Sequence, residues 1–354
     1  MILQARCEVT DDSICSPVNA AMSPDYSALV LLSAGGWKNR DPVLSLYLLD
    51  DGTAGHEEDD DEEESIETIT YDEYRCITIE PGFASVAYQA TTDADRKLAV
   101  VADDARIKTF YYGREGQVQF GDWAPARGKN VHTMKSSGYD GPIALLPGGR
   151  VARAGQGGIA FWDLAALETH AGGRRVGRGR LSTEDSWRDN DGEEIERSTG
   201  SAPTTTVRFA QGAEHIVPAG WQYHAPTGLM LAGDNAQKNK GHYGFYALDL
   251  EHGAKKVKRF LGHGATVSSV CVSEGDANAF VTACTDGYAR LFDVRHPLPG
   301  MTFDQGKSGE FCETAEFVHA DGIPSMSLIL SFSSLALTHI CCSHLHRRTT
   351  VAEH

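Results

Sequence analysis

The sequence predicts an all-β protein assembled from repeated antiparallel hairpins, and three observations carry that expectation. Glycine occurs 37 times in 354 residues, as expected where many short strands need many turns. Short runs rich in Leu, Val and Ile recur along the chain between Gly, Asp or Asn residues, the pattern of strands joined by tight turns. The clearest stretch, Gly262 to Arg295, sets two β-type runs around Asp286-Gly287.

Taken in order, VNAAM and ALVLLS flank a turn at Ser23-Pro24-Asp25, and VLSLYLLD (43–50) follows. LAVVADDARIKTFY (98–111) reads as a strand, a turn at Asp104 and a second strand. RVARAGQGGIAFWDL (150–164) repeats the pattern and closes on Trp162-Asp163. Residues 229–250 supply LMLAGD and YGFYALDL around the polar loop NAQKNKGH. Within 256–296, strands are expected near 267–272, 278–284 and 288–293, with Asp286-Gly287 as a two-residue hairpin turn and a fourth strand outside the window. From Phe311, FCETAEFVHADGIPSM begins one more such unit.

The run GHGATVSSVCVSEGDANAFVTACTDGYARLFDVR (262–295) resembles a WD40 repeat. A Gly-His pair opens it, and Phe292-Asp293 stands where Trp-Asp closes such a repeat, a spacing that fits a unit of about 40–45 residues. The resemblance implies a WD40-type β-propeller with five recognisable blades, at roughly 18–50, 76–112, 131–165, 205–250 and 256–296, and a truncated sixth. Residues 18–322 then form the propeller, preceded by an N-terminal extension (1–17) and followed by an atypical tail (323–354). That tail offers no Gly, Pro, Asn or Asp after Met326 until the chain ends. It is therefore expected not to complete the sixth blade, which leaves ring closure open.

The net charge of −17 argues against general nucleic-acid or anionic-membrane partners, because both require basic surface. An acidic insertion (51–67) contains Glu57, Glu58, Asp59, Asp60, Asp61, Glu62, Glu63 and Glu64 in unbroken succession. A charged insertion (168–204) carries GGRRVGRGR and then acidic residues. Neither shows apolar periodicity, and both are expected as surface segments. Ile323 to Cys342 has nearly the length of a membrane helix, but five serines, Thr338 and His339 dilute it. The eight cysteines form no CxxC pair, and MILQARCEVTDD lacks a signal-peptide core. Reduced thiols in the cytoplasm or nucleus are expected.

Three sets of residues are candidates for function. In WD40 repeats the opening His, a strand hydroxyl, the turn Asp and the Trp indole form a buried hydrogen-bond chain; the matching positions here are His263, Thr282, Asp286 and Phe292. Phenylalanine has no N–H, so the expected network is His263, Thr282 and Asp286 alone. It has the composition of a hydrolase triad, but a packing role is the preferred reading. Elsewhere the pattern weakens: Gln156 stands at the Asp position, Ala152 at the hydroxyl and Leu248 at the Trp. Second, Phe292-Asp293-Val294-Arg295 resembles the box of WD40 substrate receptors of cullin-type ubiquitin ligases, which implies adaptor contact through Asp293 and Arg295. Third, the acidic run could hold a basic partner. Arg174, Arg175, Arg178 and Arg180 lack interleaved aromatics for RNA stacking, and His339, Cys341, Cys342, His344 and His346 match no closed zinc spacing. There is no GxSxG elbow, phosphate loop or HExxH helix. The expectation is a non-catalytic scaffold for proteins or peptides, without cofactor, metal, nucleic acid or membrane. A ligase substrate receptor and a propeller-based hydrolase are the alternatives.

Overall fold

The computed structural model describes residues 16–22, 28–34, 43–48, 75–79, 89–103, 105–113, 116–171, 199–210, 216–235, 243–273, 275–304, 311–319, 326–332 and 337–341. They form β-strands and loops, with no α-helix among them. Every sheet is an antiparallel meander in chain order. The first joins β1 (Ser16–Met22), β2 (Ala28–Ala34), β3 (Val43–Leu48) and β4 (Arg75–Ile79); the second joins β5 (Gln89–Asp93), β6 (Leu98–Ala102), β7 (Arg106–Tyr111) and β8 (Asn130–Lys135). The third contains β9 (Ile143–Leu146), β10 (Arg150–Gly155), β11 (Gly158–Asp163) and β12 (Thr205–Arg208). The fourth contains β13 (Pro218–His224), β14 (Leu229–Asp234), β15 (Phe245–Asp249) and β16 (Lys255–Phe260). The fifth contains β17 (Val267–Val272), β18 (Ala279–Cys284), β19 (Ala289–Asp293) and β20 (Met301–Phe303). A three-stranded sheet of β21 (Cys312–His319), β22 (Met326–Phe332) and β23 (Leu337–Cys341) follows.

The chain divides into two compact units, residues 1–137 with 163–202, and residues 138–162 with 203–354. In the first unit, β5 packs on β1 and β2. Every side chain of β6 and β7 is buried, so the second sheet is covered on both faces. In the second unit the first strands of four successive sheets meet in order, β9 with β13, β13 with β17, and β17 with β21. This is the arrangement of β-propeller blades, and it leaves apolar layers between neighbouring faces. Ile159 and Phe161 meet Trp221, Met230 and Leu248 in one layer. Phe245 and Phe260 meet Phe280 and Phe292 in the next, and Val281 and Ala289 meet Cys312 and Ala315 in the third. Glycine permits one close approach. A Cβ on Gly233 of β14 would lie 2.7 Å from the Cβ of Val267 on β17.

The strands of 98–111, 150–164 and 229–250 form where the sequence predicts them. Those of the fifth sheet lie at 267–272, 279–284 and 289–293, with the fourth at 301–303, outside the 256–296 window. The phase of the repeats differs from expectation. The strands at 75–79, 130–135, 205–208 and 255–260 each close the preceding sheet and do not open the next. Each extends a meander by pairing with the strand just before it, as β16 does with β15. The Asp286 turn also differs. Its loop is Thr285, Asp286 and Gly287, bracketed by Cys284 N–H donating to the Tyr288 carbonyl, with Gly287 at φ 90°. This three-residue form needs the left-handed conformation at its last position, which glycine adopts without strain.

The tail contributes strands, although the described sheet there has three and not four. Residues 326–332 pair antiparallel with β21, and residues 337–341 pair with them in turn. Two strands thus form in the segment expected not to match a blade. Backbone pairing needs only extended chain of matched length, and the four residues joining these strands (333–336) lie outside the described set. The acidic run 57–64, the Arg-rich stretch 174–180, His344 and His346 also lie outside the described residues.

Candidate functional site

The fifth sheet brings the best-matched residues together. His263 sits in the connection between β16 and β17, just after Gly262, whose φ of 106° turns the chain. Thr282 is buried on β18 and lies directly opposite Arg290 on β19. His263 Nε2 and the Thr282 hydroxyl share a hydrogen bond of 2.9 Å. Phe292, at the place where a Trp would stand, stacks on the imidazole with ring centres 5.4 Å apart. Phe245 meets the same ring from 5.3 Å. Aromatic packing of Phe292 and Phe245 on His263 thus stands in for the indole N–H.

Asp286 does not bond to His263. Its Oδ2 accepts from Gly264 N–H at 2.7 Å and from Arg290 Nη2 at 2.8 Å. Its Oδ1 accepts from Arg290 Nη1 at 3.0 Å and from Tyr288 N–H at 3.2 Å. The expected three-member network is therefore two separate pairs. The reason is competition: a bidentate guanidinium matches a carboxylate better than one imidazole N–H does. His263 Nδ1 has no hydrogen-bond partner among the described residues.

The electrostatics follow from this arrangement. Burial pushes the His263 imidazole down to about 4, Arg290 adds to the effect, and Asp286 opposes it. At neutral pH the ring is uncharged. Burial alone would raise the Asp286 carboxyl, but hydrogen bonds from Arg290 and Gly264 outweigh it and hold the group below the ordinary carboxylate range. A neutral imidazole next to an engaged carboxylate lacks the orienting bond that a general base receives in a triad.

The first unit uses histidine in the same way. Buried His132 on β8 shares a 2.9 Å hydrogen bond with Thr109 on β7, and burial pushes its ring down to about 3. Thr133 pairs with His170 at 2.9 Å.

Of the other predicted residues, Asp293 and Arg295 lie at the end of β19 and just beyond it, joined through Arg295 Nε and Asp293 Oδ1 at 2.9 Å. That hydrogen bond, with others from Arg295, holds the Asp293 carboxyl at about 2. The Arg295 side chain remains 65% exposed. Sequence reading missed Arg290 and the His132–Thr109 pair. Nothing in sequence marked Thr109 and His132, which strand pairing alone makes neighbours.

No protein-family model and no curated protein matches the chain.

Proposed function

We propose that this chain is a WD40-type β-propeller acting as a non-catalytic scaffold, one that holds peptides or other proteins within a multiprotein complex. The repeat type is supported by the Gly-His opening at 262–263, the His263–Thr282 hydrogen bond and the Phe292-Asp293 ending. Five four-stranded sheets and a three-stranded one support five blades with a shortened sixth. The observation that carries the scaffold reading is the engagement of Asp286. Both of its carboxylate oxygens are taken by Arg290 and backbone N–H groups, so the residues of triad composition serve packing. A cytoplasmic or nuclear setting fits the free thiols of Cys284 and Cys312.

Affinity purification of the full chain from cells, with quantitative mass spectrometry, tests this reading. Stoichiometric protein partners are expected. Recovery of the chain alone, together with ester or peptide hydrolysis that disappears in His263→Ala, would replace the scaffold with the propeller-based hydrolase. A second reading, a substrate receptor of a cullin-type ubiquitin ligase, is favoured by the exposure of the Arg295 guanidinium. Under it, Arg295→Ala removes the ligase adaptor from the recovered set and leaves other partners in place.

A further inference from the structure

Of the seven exposed large apolar side chains among the described residues, four lie together on the second unit: Val257 (55% exposed), Leu261 (43%), Leu298 (61%) and Met301 (38%). Backbone contacts make them one patch. Leu261 N–H donates to the Pro297 carbonyl at 2.8 Å, which sets Leu261 beside Leu298. Gly300 N–H donates to the Leu291 carbonyl at 2.9 Å, and β20 pairs Met301 with Leu291. Lys258 Nζ reaches the carbonyls of Val294 and Arg295 at 2.8 and 2.9 Å, tying the Val257 end of β16 to the same loop. The outer strands of the fourth and fifth sheets, with the 294–300 connection, therefore share one surface.

The charge around the patch is the reverse of the chain's. Residues 255–259 read KKVKR, in a protein of net charge −17. Lys255 and Arg259 are exposed beside Val257. Among the described acids, Asp293 is engaged by Arg295 and Asp249 by His252 at 2.7 Å, and buried Asp234 interacts with Lys256 and Arg259. The four cations of 255–259 outnumber these carboxylates among the described residues, and the rim stays basic. An apolar centre with a basic border fits one kind of occupant by charge complementarity.

We propose that this wall binds an acidic amphipathic segment of a partner protein, its apolar side chains over Val257, Leu261, Leu298 and Met301 and its carboxylates against Lys255 and Arg259. The inference rests on the scaffold reading and specifies the partner's chemistry. It does not use β16 as a template for strand addition. Lysines and the register shift between Ala247 and Leu248 are features that blunt a sheet edge.

The test uses the full chain and three fluorescein-labelled peptides of twelve residues, alternating Leu with Glu, Gln or Lys. Fluorescence anisotropy is expected to show saturable binding of the Leu/Glu peptide, at least tenfold weaker binding of Leu/Gln and none of Leu/Lys. Leu298→Ser with Val257→Ser, and separately Lys255→Glu with Arg259→Glu, are each expected to weaken the Leu/Glu peptide at least tenfold. All four positions are exposed, and unchanged thermal melting of the variants confirms that the fold is intact. Equal affinity for the three peptides, or wild-type affinity in either double variant, overturns the proposal. The two readings fail separately. Cellular partners that remain bound to both double variants leave the scaffold standing without this site, whereas the peptide titration reads the wall even if no partner is recovered.

Discussion

Asp286 and Arg290 form a two-pronged ion pair, Oδ1 to Nη1 at 3.0 Å and Oδ2 to Nη2 at 2.8 Å, with both side chains largely withdrawn from water. The pair fastens the hairpin between β18 and β19 to the Gly264 backbone, since the same carboxylate accepts from Gly264 N–H. It also determines which residues remain for His263.

Removing one member strands the other. Asp286→Ala leaves the Arg290 guanidinium buried without its anion and Gly264 N–H without its acceptor, and a loss of about 3–5 kcal/mol is expected. Asp286→Asn keeps an acceptor for Gly264 and should lose less. Arg290→Met combined with Asp286→Asn removes both charges, so its loss should fall well short of the sum of the single losses. Urea denaturation of wild type, Asp286→Asn, Arg290→Met and the double variant measures the coupling. Additive losses would mean that the two residues act independently.

Much of this hairpin was legible in sequence, and its decisive partner was not. Gly-His, Asp-Gly and Phe-Asp mark three corners of the repeat, and the β-branched runs between them mark strands. Arg290 looks like any basic residue on a strand until the turn beside it closes. The phase of the sheets was hidden for a related reason: sequence orders the strands but does not say which neighbour each one pairs with. The two tail strands were hidden by the lack of turn-forming residues, although the described sheet there still has three strands and not four. In MSLILSF, Met, Leu, Leu and Phe alternate with Ser, Ile and Ser, which is itself a strand pattern.

Acid should weaken the fold through His263. Its folded value of about 4 lies below the ordinary 6.5, so the unfolded chain binds the proton more readily. The stability linked to this residue is complete above pH 6.5 and is lost as pH falls towards 4. A loss on the order of 1–3 kcal/mol is expected across that window. His132, with a folded value of about 3, continues the loss to lower pH. His263→Gln should flatten the upper part of the stability curve. A wild-type curve that already runs flat between pH 6.5 and 4 would contradict the assignment.

Thr282 gives that histidine its one hydrogen bond among the described residues. Thr282→Val preserves the branched shape and removes the hydroxyl, leaving the ring with neither nitrogen paired. A loss of about 1–3 kcal/mol is expected, with the imidazole still neutral at pH 7. Chemical denaturation measures the loss, and histidine ring resonances in NMR report the charge state.

Asp234 should respond to pH in the opposite sense. It ends β14 almost fully buried, and its Oδ1 has no hydrogen-bond partner among the described residues. Burial pushes the carboxyl from 3.8 up to about 6, against the pull of Lys256, the Val217 backbone and Arg259. A raised carboxyl favours the protonated folded state, so its contribution is complete below pH 3.8 and is lost as pH rises through 6. Asp234→Asn removes the charge while keeping the shape. The variant is expected to match wild type near pH 4 and to exceed it by roughly 1–3 kcal/mol at pH 8. Melting temperatures at the two pH values decide the matter. A variant less stable than wild type at pH 8 would mean that the ionised carboxylate has a stabilising partner outside the described residues.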